Sequence, residues 1–311
     1  MKKLNFVLSL TTDDNDYQIE QASAAEEAAR RLGVGLQIIY AENDAIIQSQ
    51  QLLKFIQSGA GSTPDGIIFE PVGGTALPQV ARAAATAKIG WVILNRDVDY
   101  VSDLRKTHRV PIFGLTSDHE EIGRIQGRQF GAILPKGGSV LYIQGPSESL
   151  AAKQRTSGMY ETKPVDVQVK LMKANWTEAS AYKTLSSWLR LSTSHQTPVD
   201  LIAAQDDSMA MGARKAFQEL PDNAARDRWL SLPFTGCDGM PKTGQAWVKK
   251  GLLAATVVVP PNAGKAVEML SQAVQSSSTP AERTLNEPAS FPTLDQLAEQ
   301  KTRARSAGSI R

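Results

Sequence analysis

The sequence predicts an α/β protein made of two similar lobes, each a mainly parallel sheet flanked by helices. Two observations carry this. Short apolar runs alternate with longer segments of helical periodicity, the pattern of consecutive βα units. The alternation runs from Asn5 to about Leu115 and then starts afresh near Val140, so the 311 residues form two series of common domain size. A third observation points to where function belongs. In LIAAQDDSMAMGARKAFQEL (201–220), a fully apolar strand gives way at Asp206 and Asp207 to a helix. FTGCDG (234–239) repeats this junction with Asp238 at its tip. Open α/β sheets bind ligands just outside the carboxyl ends of their strands.

Taken in order, the first element is a strand at Asn5–Leu10, with Phe6, Leu8 and Leu10 alternating. The reading expects no export leader in this chain, because the apolar run breaks at Thr11-Thr12-Asp13-Asp14 and lacks a small-residue cleavage site. A helix is predicted over Tyr17–Leu32, with Ala22, Ala25, Ala28, Ala29 and Leu32 on one face. Asp14-Asn15-Asp16 offers capping oxygens at its start, and Gly33 ends it. Further strands follow at Gly35–Tyr40, Gly66–Phe69, Trp91–Leu94 and Ile112–Leu115. The second series opens with a helix at Ile122–Leu134 and has strands at Val140–Gln144, Val167–Met172, Leu201–Ala204, Leu232–Thr235 and Ala254–Val259. After Pro260-Pro261 one more amphipathic helix is predicted at Ala263–Val274, then a polar flexible stretch at Ser276–Pro280. The tail beyond Leu294, ending in the basic KTRARSAGSIR, is expected to fray.

Composition narrows the function classes. With 41% hydrophobic and 21% charged residues the chain is neither disordered nor membrane-spanning in pattern. A net charge of +2 gives no reason to expect a nucleic-acid partner. The lone Cys237 rules out an internal disulfide and is expected to be a buried, unreactive small side chain. The three histidines lie far apart in sequence and suggest no metal site, and no cofactor is implied. There is no nucleophile elbow, no P-loop and no complete Gly-x-Gly-x-x-Gly, so no enzyme activity is expected.

AQDDSMAMGARKAFQ (204–218) and FTGCDGMPKTGQAWVKKGLLAATVVVPPNAGKAVEML (234–270) resemble the second-lobe signature of periplasmic sugar-binding proteins of the ribose-binding type, whose fold also serves as the effector core of LacI-type repressors. ILNRDVD (93–99), AAKQRTSGM (151–159) and LAAT (253–256) resemble further segments of that family in the same order. The resemblance runs from about Leu4 to Val274. It implies two flavodoxin-like lobes joined by a three-crossover hinge, with the ligand cleft between them. The N-terminal lobe is then 1–116 plus 260–287, and the C-terminal lobe 117–259 plus 288–311.

A free sugar presents vicinal hydroxyls and apolar C–H faces, so its site needs planar polar groups and aromatic rings. The positions matching the family's site have that chemistry: Thr11, Asn15 and Tyr17 after the first strand, and Asn95 and Arg96 after the fourth. In the second lobe they are Arg155 on a helix, then Trp176, Asp206 and Asp238 after the second, third and fourth strands. Each has a plainer alternative. Tyr17 and Trp176 suit a core, Arg96 and Arg155 suit structural ion pairs, and Asp206 suits a helix cap. Glu70 and Trp91 are further strand-end candidates with equally good structural roles.

Where the family usually has Asp before the arginine this chain has Asn95. Where it has Asn after the third strand this chain has Asp206, as if the charge had moved to the other lobe. A usual Gln is Val259, and a first-lobe aromatic is Gln18. A monosaccharide other than ribose, or a related polyol, is therefore the expected ligand. The resemblance implies a monomeric solute-binding protein in the periplasm that serves an ABC transporter permease. A LacI-like sensor core without its own DNA-binding domain is the alternative.

Overall fold

The computed structural model describes residues 3–59, 62–73, 76–276 and 278–299, with 195 described by its backbone. Among the described residues twelve strands follow in chain order. The first five are β1 (Asn5–Leu10), β2 (Gly35–Tyr40), β3 (Gly66–Phe69), β4 (Gly90–Leu94) and β5 (Ile112–Ser117). The next five are β6 (Gly138–Gln144), β7 (Val167–Lys173), β8 (Leu201–Ala204), β9 (Phe234–Thr235) and β10 (Thr256–Val258). β11 (Arg283–Asn286) and β12 (Ala289–Phe291) close the series.

The chain divides into two compact units, one of Met1–Ser117 and Pro260–Asn286, the other of Asp118–Val259 and Glu287–Arg311. In the first, six parallel strands lie in the order β11-β5-β4-β3-β1-β2. In the second, four parallel strands lie in the order β7-β6-β8-β9. Single parallel bridges, Thr235 to Ala255 and Asp238 to Val258, tie the β9 side to the β10 segment, and β12 runs antiparallel to β10. Apart from the edge additions, both sheets start at the second strand of their series, pass through the first and go on to the third and fourth. That doubly wound order places a switch point beside the first strand, and its carboxyl end is a natural ligand position.

Sequence and packing agree on why these elements form. The helix Asp16–Leu32 starts at Asn15, whose side chain accepts from Tyr17 N and Gln18 N, and ends at Gly33 with φ 67°. It packs with the helix Ala263–Ser276 on one face of the first sheet, around Leu8, Leu10, Ile68, Val92 and Leu270. Leu52, Phe69, Val80, Trp91 and Leu104 fill the other face. Helices on both faces explain why β3 and β4 read as apolar runs and why β1 is buried from Phe6 to Leu10. In the second unit Leu141, Ile202, Phe217, Trp229 and Phe234 make the larger core, with the Phe217 and Trp229 rings stacked at 4.9 Å. Phe130, Val140 and Tyr142 occupy the opposite face.

The helices His119–Ile133 and Leu150–Thr162 touch backbone to backbone. A Cβ on Gly123 would run into the Arg155 carbonyl, and one on Gly158 into the Glu120 carbonyl. Only glycine permits this approach, and it sets how deep the helix carrying Arg155 lies.

The structure corrects four expectations. β11 and β12 were not anticipated, since runs of four and three residues with mixed burial carry no readable period. The helix after Pro261 continues to Ser276, into the stretch read as flexible. β9 is shorter than Leu232–Thr235, because Pro233 precedes it and has no N–H for a ladder. Residues 294–299 are helical rather than frayed. Thr293 and Gln296 cap each other's N–H groups and Leu297 is buried, while KTRARSAGSIR lies outside the described residues.

Candidate ligand-binding site

In the first unit the polar groups gather at the carboxyl ends of β1, β3 and β4, and a carboxylate holds them together. Glu70, which follows β3, accepts from Gln18 Nε2 and from Asn95 Nδ2, both at 3.0 Å and both on Oε2. The Asn95 Oδ1 accepts from Asn262 Nδ2 at 2.6 Å and from the Tyr17 hydroxyl at 3.4 Å. Asn286 donates to Asn262 Oδ1 and to the Pro260 carbonyl, which is also 3.4 Å from the Tyr17 hydroxyl. Gln18 Oε1 accepts from Thr11 N at 3.3 Å, and Arg96 NH1 donates to the Asn95 carbonyl at 2.7 Å. Asn15, Tyr17, Gln18, Glu70, Asn95 and Asn262 are all buried. Each amide is locked in one orientation by its neighbours, so the cluster is a rigid polar wall.

Of the five first-unit candidates, Tyr17, Asn95 and Arg96 are direct neighbours in this network. Thr11 joins it through its backbone and Gln18, and Asn15 serves as a helix cap. Asn95 has φ 56°, a conformation asparagine adopts at low cost.

In the second unit Arg155 is buried beneath Trp176, its guanidinium carbon 5.5 Å from the ring centroid. Its NH1 donates to the Gln205 carbonyl. Burial opposes its charge, and Cys237, Asp238, Asp206 and Tyr142 outweigh that, leaving its pKa above the ordinary arginine value. The Trp176 ring lies flat against Gly145, where any Cβ would collide with it. Trp176 and Asp238 have φ 61° and 107°, conformations costing such residues about 1–3 kcal/mol each. The surrounding packing must hold them there. Asp238 is kept in place by its N–H to the Val257 carbonyl and its carbonyl from Val259 N, both 2.9 Å.

The two adjacent aspartates differ in role. Asp206 caps its helix, accepting from Met209 N at 2.5 Å, which fulfils the plainer alternative without removing it from the strand end. Asp207 is wholly buried, with Oδ2 on Gly239 N and Oδ1 on the Thr256 hydroxyl, each 2.8 Å. It ties the loops after β8 and β9 to β10. Gly236 and Gly244 leave room for it, since a Cβ on either would overlap its carboxylate.

The structure decides one open alternative and corrects one inference. Trp91 is a core residue at the start of β4, tilted against Phe69 at 4.5 Å with its N–H on the Tyr100 hydroxyl. The negative group that Asn95 lacks has not simply gone to the other lobe, because Glu70 supplies a carboxylate from the next strand within reach of Asn95. Cys237 is buried as expected. Burial pushes its thiol pKa up, although Arg155 pulls the other way. Gln205 and Asn262 lie within the segments that carry the resemblance but had no role assigned to them, Asn286 lies outside those segments, and all three emerge through their hydrogen bonds. Among the described residues no cluster of histidine, cysteine or acidic groups has the makeup to hold a metal, and no helix is long and apolar enough to cross a membrane. A separate cavity of about 480 Å³, lined by Asn5, Asp65, Lys88 and Arg109 among others, lies at the amino ends of the first unit's strands, away from these groups.

The profile of a family described as "Periplasmic binding protein domain" matches residues 6–278. The chain is 28% identical over 217 residues to a putative rhizopine-binding protein of Rhizobium meliloti, covering 68% of this chain and 66% of that protein. It is 24% identical over 283 residues to the ribose import binding protein of Salmonella typhimurium, covering 90% and 88%. A periplasmic solute binding protein of an ABC transporter from Actinobacillus succinogenes, solved with bound D-allose, superposes with a TM-score of 0.78 at 20% identity, covering 96% of this chain and all of that one. A Caulobacter myo-inositol binding protein superposes with a TM-score of 0.77 at 20% identity, covering 95% of each chain.

Proposed function

Because this chain belongs to the periplasmic binding protein domain family, we propose that it is a solute-binding protein for a monosaccharide or related polyol, which it delivers to the permease of an ABC transporter. The observation that carries the reading is the pair of rigid polar clusters at strand ends, one rich in amides around Glu70, the other a guanidinium against an indole. Planar donors and acceptors fixed in advance suit vicinal hydroxyls, and a half-buried indole suits the C–H face of a ring. The names of relatives support the class, since they include binders of ribose, D-allose and galactofuranose. In this reading Thr11, Asn15, Tyr17, Asn95, Arg96, Arg155, Trp176, Asp206 and Asp238 contact the ligand. The protein works as a monomer in the periplasm, without cofactor, nucleic acid or catalytic step. Ligand contacts favour a closed conformation over an open one by their differential affinity for it.

Thermal melting against a panel of monosaccharides and cyclitols tests the proposal. A ligand at a hundred times its Kd adds about 2.7 kcal/mol, a rise of roughly 5–10 °C. Mass spectrometry of the recovered ligand should show it unchanged. Asp238→Ala and Arg96→Ala should each abolish binding in a folded protein, and unchanged affinity in either removes that residue from the site. A panel that leaves the melting temperature untouched overturns the proposal.

A further inference from the structure

We infer that the ligand carries a protonated amine and that Glu70 receives it, which rests on the sugar-like reading above and narrows it to an amino sugar or aminocyclitol. Glu70 is held rigidly. Its N–H donates to the Ser9 carbonyl at 2.9 Å, and its carbonyl accepts from Gln48 Nε2 at 2.8 Å. Gln48 is itself fully buried and fixed through Oε1 to Val72 N at 3.0 Å. Only 5% of Glu70 is exposed, yet all its side-chain hydrogen bonds fall on Oε2. Oε1 accepts none from a described residue. No lysine, arginine or histidine among the described residues pairs with this carboxylate, and Arg96 donates instead to the Asn95 carbonyl.

A carboxylate withdrawn from water needs compensation, and two neutral amides on one oxygen provide it only in part. A ligand hydroxyl at Oε1 would complete the hydrogen bonding and leave the charge unmatched. An ammonium supplies both the donor and the opposite charge, at a point fixed beforehand. Oε2 is solvated by two neutral amides, Gln18 and Asn95. An aromatic ring could not solvate Oε2, and a second aspartate would repel it. The two amides act together, and what they build is a buried carboxylate whose second oxygen has no donor among the described residues.

Matched pairs test this by calorimetry at neutral pH: D-glucosamine against D-glucose, D-galactosamine against D-galactose, and scyllo-inosamine against scyllo-inositol. At least one amine should bind roughly ten- to a hundredfold more tightly than its neutral parent, the span of a charge-assisted hydrogen bond. Glu70→Gln should erase that ratio, whatever it does to the neutral parent's own affinity. If neutral sugars bind and no amine exceeds its parent, the inference is wrong and the sugar-binding proposal stands. A preference that persists in Glu70→Gln removes Glu70 as the acceptor. If no member of any pair binds, the sugar-binding proposal itself has failed. Should that variant not fold, Glu70→Ala is read in its place, a preference that persists there removing Glu70 as the acceptor, while the wild-type ratios still decide whether the ligand carries an amine.

Discussion

Replacing Asp207 by alanine should destabilise the second unit far more than the same change at Asp206. Two of its hydrogen bonds, to Gly239 N and to the Thr256 hydroxyl at 2.8 Å each, lie in a fully buried setting. Hydrogen bonds to a charged group contribute about 1.5–3 kcal/mol each. Relief from burying the charge offsets part of that sum, leaving a net loss of about 2–4 kcal/mol. For a domain of this size the loss corresponds to a fall of roughly 4–16 °C in melting temperature. Asp207→Asn should cost less, because its Oδ1 can still accept from Gly239 and its amide can donate to the Thr256 hydroxyl. Asp206→Ala removes a helix cap, about 1 kcal/mol. Circular dichroism melts of the three variants without ligand give the order directly. If Asp207→Ala melts within about 1 °C of the parent, or if asparagine is worse than alanine, the tie to β10 is not what holds these loops.

Gly145→Ala should displace the Trp176 ring, shifting tryptophan emission and weakening ligand binding while most of the core stays intact. Gly158→Ala should push apart the two helices that touch there, lowering both the melting temperature and affinity by moving Arg155; full affinity would show that this contact does not set the arginine's position. Cys237 should resist Ellman's reagent at pH 8 and react once per chain in denaturant. Burial raises its folded pKa above the ordinary 9.0, so the unfolded chain loses the proton first. Stability is therefore complete below about pH 9 and falls by about 1.4 kcal/mol per pH unit above it. Cys237→Ala should lack that slope between pH 9 and 10, below the range where buried Tyr142, also raised, begins to contribute.

The sequence was most informative where one face of an element decides its state. β1, β2, β3 and β8 fall on the residues marked in the sequence, because turn-forming or polar residues bound each run. The helix after Asn15 was legible at both ends from its cap and its glycine. β11 and β12 were not, since short edge strands with mixed burial leave no period in the chain. The strand-end positions of the candidate residues followed from motif spacing, but their partners did not.

What the sequence determined by itself, then, was the α/β class, the two series of βα units and the strand ends at which polar residues collect, because periodicity and caps are local. Only the tertiary structure decided how those residues are used. It showed that Asp207 is a buried tie and Asp206 a cap. It showed that Trp91 belongs to the core, and that Glu70 gathers Gln18 and Asn95 from positions 52 and 25 residues away. Such pairings depend on which strands lie side by side, and strand order is set by the packing of the whole sheet rather than by any local run of residues.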